Sequence, residues 1–240
     1  MIYVVSHVWA EKNKQFADAL IYQMSSLFLY PPSCGVTLVV VATEDDKSVT
    51  SAIRCFQDAI KIERYFLPLE LLGRRSIGRN DVAHLFPNDK NDIVWFADVD
   101  YFFGEGCLEA LSKYEWEENT VAVFPKSVLI SKTHGLGDEC LAKFHVNGPM
   151  VPRVMNVDPK DFTPKRYFRA IGGAQIVRGD IARKYGYLNG QAKWQKPTTT
   201  PFADTREDVF FRRELSAHGM IRSIDLPNCF RIRHREGHPA

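Results

Sequence analysis

Residues 92 to 100 read Asp-Ile-Val-Trp-Phe-Ala-Asp-Val-Asp, an apolar run long enough for one buried strand that ends in two carboxylates spaced i, i+2. On an extended chain this spacing puts Asp98 and Asp100 on one side at the strand's C-terminal end. Open α/β sheets collect their ligands at that end. Two carboxylates there suit a hard divalent cation, Mn²⁺ or Mg²⁺, that also takes phosphate oxygens as ligands. A solvated turn after a strand would show the same triplet, so the rest of the chain has to decide.

Three later segments carry chemistry-bearing residues. Arg169-Ala170-Ile171-Gly172-Gly173-Ala174 places two glycines ahead of a strand. Without Cβ atoms, Gly172 and Gly173 let backbone and ligand approach closely, although a tight turn needs the same pair. Arg206-Glu207-Asp208 opens a helical pattern. Acids in a first turn suit the helix dipole, and a carboxylate held in a pocket can also accept a proton from a nucleophile. Last comes His234 amid Arg231, Arg233 and Arg235. Imidazole can complete a metal site and guanidinium can clamp phosphate. A solvated basic tail is the plainer reading.

The elements that would position these residues alternate in type. Apolar strands are predicted at 2–6, 37–42, 65–69, 93–97 and 121–124, with helices at 11–28, 50–60, 79–85 and 106–114 between them. Apolar strands separated by helices argue for a mostly parallel sheet covered on both faces. Periodicity fades over 125–168, which reads as an irregular connection where substrate-shaping loops sit. Beyond it, a strand is expected at 174–177, a helix from 180, a polar loop over 186–204, a helix at 207–218 and a strand at 221–225. Residues 231–235 read as a closing tail.

With 240 residues, 45% hydrophobic and 25% charged, the chain fits one large soluble domain with a sizeable core. Its halves are expected to be residues 1–124 and 125–240. No window reaches the roughly 18 apolar residues of a membrane span, and the first residues turn polar too soon for a signal peptide. Cysteines at 34, 55, 107, 140 and 229 show no ligand spacing and read as reduced thiols in a cytoplasmic protein. The net charge of +2 hides an asymmetry: residues 1–142 carry 13 Lys+Arg against 20 Asp+Glu, and residues 143–240 carry 18 against 9. The basic portion could meet an anionic partner, or acids of the first half could neutralise it in the fold.

In order and spacing the segments resemble glycosyltransferase family 2. Phe96-Ala97-Asp98-Val99-Asp100 followed by Gly106-Cys107-Leu108-Glu109-Ala110-Leu111 looks like that family's metal-binding strand end and next helix. Gly172-Gly173-Ala174 running on to Tyr185-Gly186-Tyr187 resembles its acceptor-side segment. Glu207-Asp208-Val209-Phe210-Phe211 resembles its Glu-Asp helix, and Gly78-Arg79-Asn80-Asp81-Val82-Ala83 its Arg-Asn segment. The resemblance implies a GT-A fold and an inverting transfer of sugar from a nucleotide-sugar, a UDP-sugar first among candidates. It implies a metal at Asp98, Asp100 and His234, donor contacts from Arg79, Asn80, Asp98, Asp45, Gly172, Gly173, Arg233 and Arg235, and Asp208, beside Glu207, as catalytic base. Two departures stand out. Ser6-His7-Val8-Trp9 replaces the usual turn after the first strand, and the acids Glu44, Asp45 and Asp46 are displaced from the usual base-reading position. The acceptor could be a hydroxymethylated DNA base or an anionic surface glycan. A nucleotidyltransferase of sugar phosphates and an inactive binding module are the alternatives. The first usually needs a Gly-rich phosphate loop after strand one, where His7-Val8-Trp9-Ala10 stands.

Overall fold

The computed structural model describes residues 1–10, 15–72, 75–83, 89–134, 154–187 and 206–233. The first half runs β1 (Ile2–His7), α1 (Gln15–Leu29), β2 (Val36–Ala42), α2 (Lys47–Arg54) and β3 (Ile62–Phe66). It continues through α3 (Leu69–Leu72), α4 (Arg75–Ala83), β4 (Ile93–Asp98), β5 (Tyr101–Phe103), α5 (Cys107–Ser112) and β6 (Thr120–Pro125). Then come β7 (Ser127–His134), a 3-10 turn (Pro159–Asp161), β8 (Phe162–Arg166), β9 (Ala174–Arg178) and α6 (Gly179–Tyr185). Helix α7 (Glu207–His218) and strands β10 (Met220–Ile224) and β11 (Cys229–Arg233) follow.

Seven strands form the main sheet in the order β10-β6-β9-β4-β1-β2-β3. Strands β3, β2, β1 and β4 are parallel, and β9 runs antiparallel to both β4 and β6. The mostly parallel sheet flanked by helices therefore stands as expected. Side-chain alternation divides the core. Ile2 and Val4 of β1 and Ile93, Trp95 and Ala97 of β4 pack on one face with α1, α2 and α5. Tyr3 and Val5, with Val94 and Phe96, pack on the other face with α4, α6 and α7. By the same period of two, His7 and Asp98, in register at the strand ends, belong to the α4/α7 face.

Within the region from 125 to 168, the described residues 125–134 and 154–168 are more regular than the composition predicted. β7 and β8 pair antiparallel, and with β5 and β11 they build a second sheet in the order β5-β11-β7-β8. Residues 231–233, part of the 231–235 stretch expected as a tail, belong to a strand of this sheet, Cys229–Arg233, with Phe230 and Ile232 buried and Arg233 exposed. Its aromatic interior stacks Phe102 on Phe230 at 5.1 Å, with Phe162 edge-on at 4.9 Å from Phe230.

Asp46 joins two layers. Its Oδ1 accepts the Val49 amide 3.1 Å away as N-cap of α2, and its Oδ2 accepts the Ala10 amide at 2.8 Å. With the side chain fully buried, Asp46→Ala is expected to lower unfolding free energy by about 2 kcal/mol, since it removes a cap and strands a buried donor. Urea denaturation checks this, and an unchanged midpoint would deny Asp46 the structural role.

Candidate active site

The sheet order reverses between β1 and β4: after β1 the chain builds β2 and β3 on one side, then crosses to β4 on the other. Ligands of open α/β sheets bind in the crevice outside such a switch point. His7 and Asp98 face each other across it.

Asp98 is held by two turns of α4. Its Oδ1 accepts from Arg75 Nη1 at 2.9 Å and from Arg79 Nη2 at 3.0 Å. Burial pulls the carboxyl pKa upward, and Arg75, Arg79 and Arg231 together outweigh it, holding the group below the usual carboxylate range. Arg79 was expected on the donor phosphate. It is instead fully buried, with its Nη groups donating to Asp98, Ala97 O (3.1 Å), Gly172 O (3.3 Å) and the Tyr187 hydroxyl (3.2 Å). Arg79 positions the site rather than reaching into it. Burial pushes the Tyr187 phenol up to about 12, so it acts as a neutral hydroxyl. Beneath them Phe96, Tyr187 and Phe211 form an aromatic cluster, with Tyr187 stacked on Phe211 at 4.0 Å.

Because β9 runs antiparallel to β4, the residues before β9 arrive where β4 ends. Ala174 pairs with Ala97, leaving Gly172 and Gly173 beside Asp98. A Cβ on Gly173 would lie 2.8 Å from Asp98 Oδ2 and 2.6 Å from the Tyr101 ring. A Cβ on Gly172 would lie 3.6 Å from Arg75 Nη1, 3.6 Å from Asp208 Cβ and 3.7 Å from Asp98 Oδ2. Asp98, Arg75 and Asp208 thus converge over one glycine. Helix α7 is fastened there by three bonds. Gln175 Nε2 donates to Asp208 O (2.9 Å), Arg212 Nη1 to Ala170 O (2.8 Å), and Ser76 Oγ to Glu207 Oε1 (2.6 Å). Glu207 is 2% exposed and its Oε2 has no hydrogen-bond partner among the described residues. Its N-cap, Arg206, supplies no side-chain cap.

Asp100 follows the turn after β4 and is 2% exposed, its Oδ2 accepting from Arg231 Nε at 2.8 Å. Burial would lower the Arg231 pKa, but Asp100, Tyr101 and Asp98 raise it overall. Among the described residues no three acid, histidine or cysteine side chains converge to hold a metal. His234 and Arg235 lie outside the described residues. Asp98 nevertheless keeps Oδ2 free of both arginines, which bond Oδ1, and on the side of Gly172, where a Cβ would meet only ordinary contacts. That geometry fits an ion of the Mg²⁺ type, which needs only one or two carboxylates beside phosphate oxygens.

The remaining expected donor residues lie less centrally. Asn80 Oδ1 accepts the Tyr187 amide at 3.2 Å, Asp45 is exposed, and Arg233 is exposed on β11 with its amide donating to Ser131 Oγ. Sequence reasoning missed Arg75, Ser76 and His7. Arg75 and Arg79 stand at i, i+4 on one helix face, where like charges repel unless a carboxylate lies between them. That spacing was the available signal. Burial, then Arg79 and Arg75, lower the His7 pKa to about 3, with a weak opposing pull from the Leu72 carbonyl. Neither ring nitrogen meets full hydrogen-bond geometry among the described residues.

No family model and no curated protein matches the sequence. Solved structures match in fold. S. aureus TarS 1–349 in complex with UDP-GlcNAc aligns at TM-score 0.61 and 13% identity, covering 99% of this chain and 59% of that one. TarS 1–349 gives TM-score 0.59 at 14% identity, covering 96% of this chain and 60% of that one. Its complex with UDP gives 0.57 at 16%, covering 96% and 60%. This chain therefore spans about 60% of the length of those structures. At such identities the likeness is one of fold, the GT-A glycosyltransferase type.

The two glycines are expected to separate on mutation. Gly173→Ala puts a methyl inside the Asp98 carboxylate and Tyr101 ring, and should destabilise by about 1–3 kcal/mol. Gly172→Ala meets only ordinary contacts and should leave the melting temperature near wild type while narrowing the site. Equal melting temperatures for the two variants would refute the packing. His7 supplies a second measurement. Because its folded pKa lies below its unfolded value, its contribution to stability is complete above about pH 6.5 and falls toward pH 3, by at most about 1.4 kcal/mol per unit. Asp98, also depressed, acts only below about pH 4. His7→Gln should therefore flatten the loss of stability between pH 6.5 and 4, and an unaltered slope would assign that loss elsewhere.

Proposed function

We propose that the chain is a metal-dependent inverting glycosyltransferase acting on a nucleotide-sugar, a UDP-sugar first. The observation that carries the reading is the convergence of Asp98, Arg75 and Asp208 over Gly172, at the switch point of a GT-A-type sheet. The TarS structures of this fold include complexes with UDP and UDP-GlcNAc, which supports a nucleotide-sugar as donor here.

The site's chemistry follows from its charges. Asp98 and Asp100 are already paired with Arg75, Arg79 and Arg231. A diphosphate would add negative charge beside them, and Asp98 with Asp100 would hold a cation that offsets it. Mn²⁺ or Mg²⁺, when bound, supplies Lewis-acid stabilisation of the departing diphosphate. Arg75, at the rim of the site, adds charge-assisted hydrogen bonds to the phosphate. Asp208 takes the proton of the acceptor hydroxyl, whose oxygen attacks the anomeric carbon opposite the leaving group. One displacement with one base inverts the configuration. Glu207, tied to Ser76, orients the first turn of α7. In this reading residues 1–124 serve the donor and residues 125–240 the acceptor. The excess of Lys and Arg after residue 142 supports an anionic acceptor, such as a hydroxymethylated base in DNA or a surface glycan. Among the described residues Cys34, Cys55, Cys107 and Cys229 form no disulfide with one another, which suits a reducing, cytoplasmic setting. Among the described residues no helix is long and apolar enough to cross a membrane.

A thermal-shift series with UDP and UDP-GlcNAc is expected to raise the melting temperature with Mn²⁺ and not after chelation. Asp208→Asn should keep that shift and lower Mn²⁺-dependent release of sugar from the donor by about 10²–10⁴-fold. Release at the wild-type rate would remove Asp208 from the role of base. Turnover of a nucleoside triphosphate with sugar 1-phosphate would replace the reading by the nucleotidyltransferase one.

A further inference from the structure

Four residues before Gly172, Phe168 is 85% exposed, more than any other large apolar side chain described. The Arg166 guanidinium lies over its ring at 5.6 Å. Arg169, the next residue, is also exposed. Arg212 stands one helical turn after Asp208, so the two share a face of α7. Its bond to the Ala170 carbonyl, 2.8 Å, brings the guanidinium to the backbone immediately after Arg169. Burial and the Arg169 charge both lower the Arg212 pKa, while Asp208 pulls the other way.

Four arginines around the cleft have carboxylates within ion-pairing distance, whereas Arg166, Arg206 and Arg213 have none among the described residues. Arg75 and Arg79 share Asp98, Arg231 has Asp100, and Arg178 has Asp180. Among the described residues Arg169 and Arg212 likewise have none. Two like charges are thus brought near one another from separate elements, beside the proposed base and at the mouth of the site, with no carboxylate in ion-pairing distance of either among the described residues. A guanidinium pair of this kind is a fork for phosphate.

We propose that Arg169 and Arg212 bind a phosphate ester carried by the acceptor next to its reactive hydroxyl, with Phe168 as the apolar wall against the acceptor's carbon face. The inference rests on Asp208 as the base and names the substrate class for that site, a hydroxyl-bearing phosphate ester of a sugar or polyol. Both Asp208 and the phosphate are anionic, and the two arginines offset their repulsion as the hydroxyl comes within reach.

The test titrates sn-glycerol 3-phosphate into the full chain by calorimetry with UDP and Mn²⁺ present, so that the donor's own phosphate subsite is filled. The wild-type protein is expected to bind it and to ignore glycerol. Arg169→Gln/Arg212→Gln should weaken binding by about tenfold or more, the loss of two charge-assisted contacts. Arg169→Lys/Arg212→Lys should recover part of it, and UDP affinity should hold in all variants. A rise in affinity per molecule from glycerol 3-phosphate to a short poly(glycerol phosphate) would place the ester within a polymer, and equal affinity would place it on a free metabolite. Either supports the phosphate class. Binding that is equal in wild type and the Gln double variant overturns the proposal, as does no binding by wild type. Should UDP fail to bind at all, the glycosyltransferase reading falls, and the same titration without UDP still decides on the arginines.

Discussion

The buried guanidinium of Arg79 is the constraint on which the site's geometry depends. Removing a full charge from water costs several kcal/mol unless it is paired and hydrogen-bonded. Here the acceptors come from separate segments: Ala97 O and the Asp98 carboxylate on β4, Gly172 O ahead of β9, and the Tyr187 hydroxyl after α6. None of them can shift by much without exposing Arg79 to an apolar surrounding with its charge uncompensated. Strand end, glycine pair and helix α4 are therefore fixed relative to one another by one side chain.

The polar groups then sort by the parity of the strands. Even-numbered Phe96 and Asp98 of β4 and odd-numbered Val5 and His7 of β1 face α4 and α7, so the aromatic floor and the charged rim are built from the same rows. The opposite rows lead to a different polar system, in which Ser6 donates to Gln23 and Gln23 donates to the Tyr101 carbonyl at the start of the second sheet. Asp100 and Arg231 sit where that second sheet meets the first. The two carboxylates of the Asp-x-Asp triplet are thus supported by different layers, one by α4 and the other by β11.

Much of this was legible in the chain. The strand ending at Asp98 and the helix Glu207–His218 stand where apolar run and helical period placed them, because long, strongly patterned segments carry their own signal. The second sheet was not read. β5 has three residues, too few for any period, and β8, after the buried Phe162, is an exposed stretch broken by Pro164. β11 does alternate, Phe230 and Ile232 against Arg231 and Arg233, but its charge was taken for a tail. Arg79 was singled out with the wrong partner, since burial cannot be seen from a motif. Arg75 was overlooked because its i, i+4 spacing from Arg79 calls for a carboxylate without saying which one, some twenty positions later, will supply it.

The antiparallel entry of β9 between β4 and β6 has a kinetic consequence. Phe96 pairs with Gln175 and Val123 with Ile176, contacts whose loops close late because chain entropy opposes them. A partly synthesised or nicked polypeptide could already assemble β1, β2 and β3 while lacking every residue that faces Asp98 from beyond position 170. Such fragments would lack both the glycine pair and Asp208, so the surroundings of Asp98 are completed only when the last third of the polypeptide has docked.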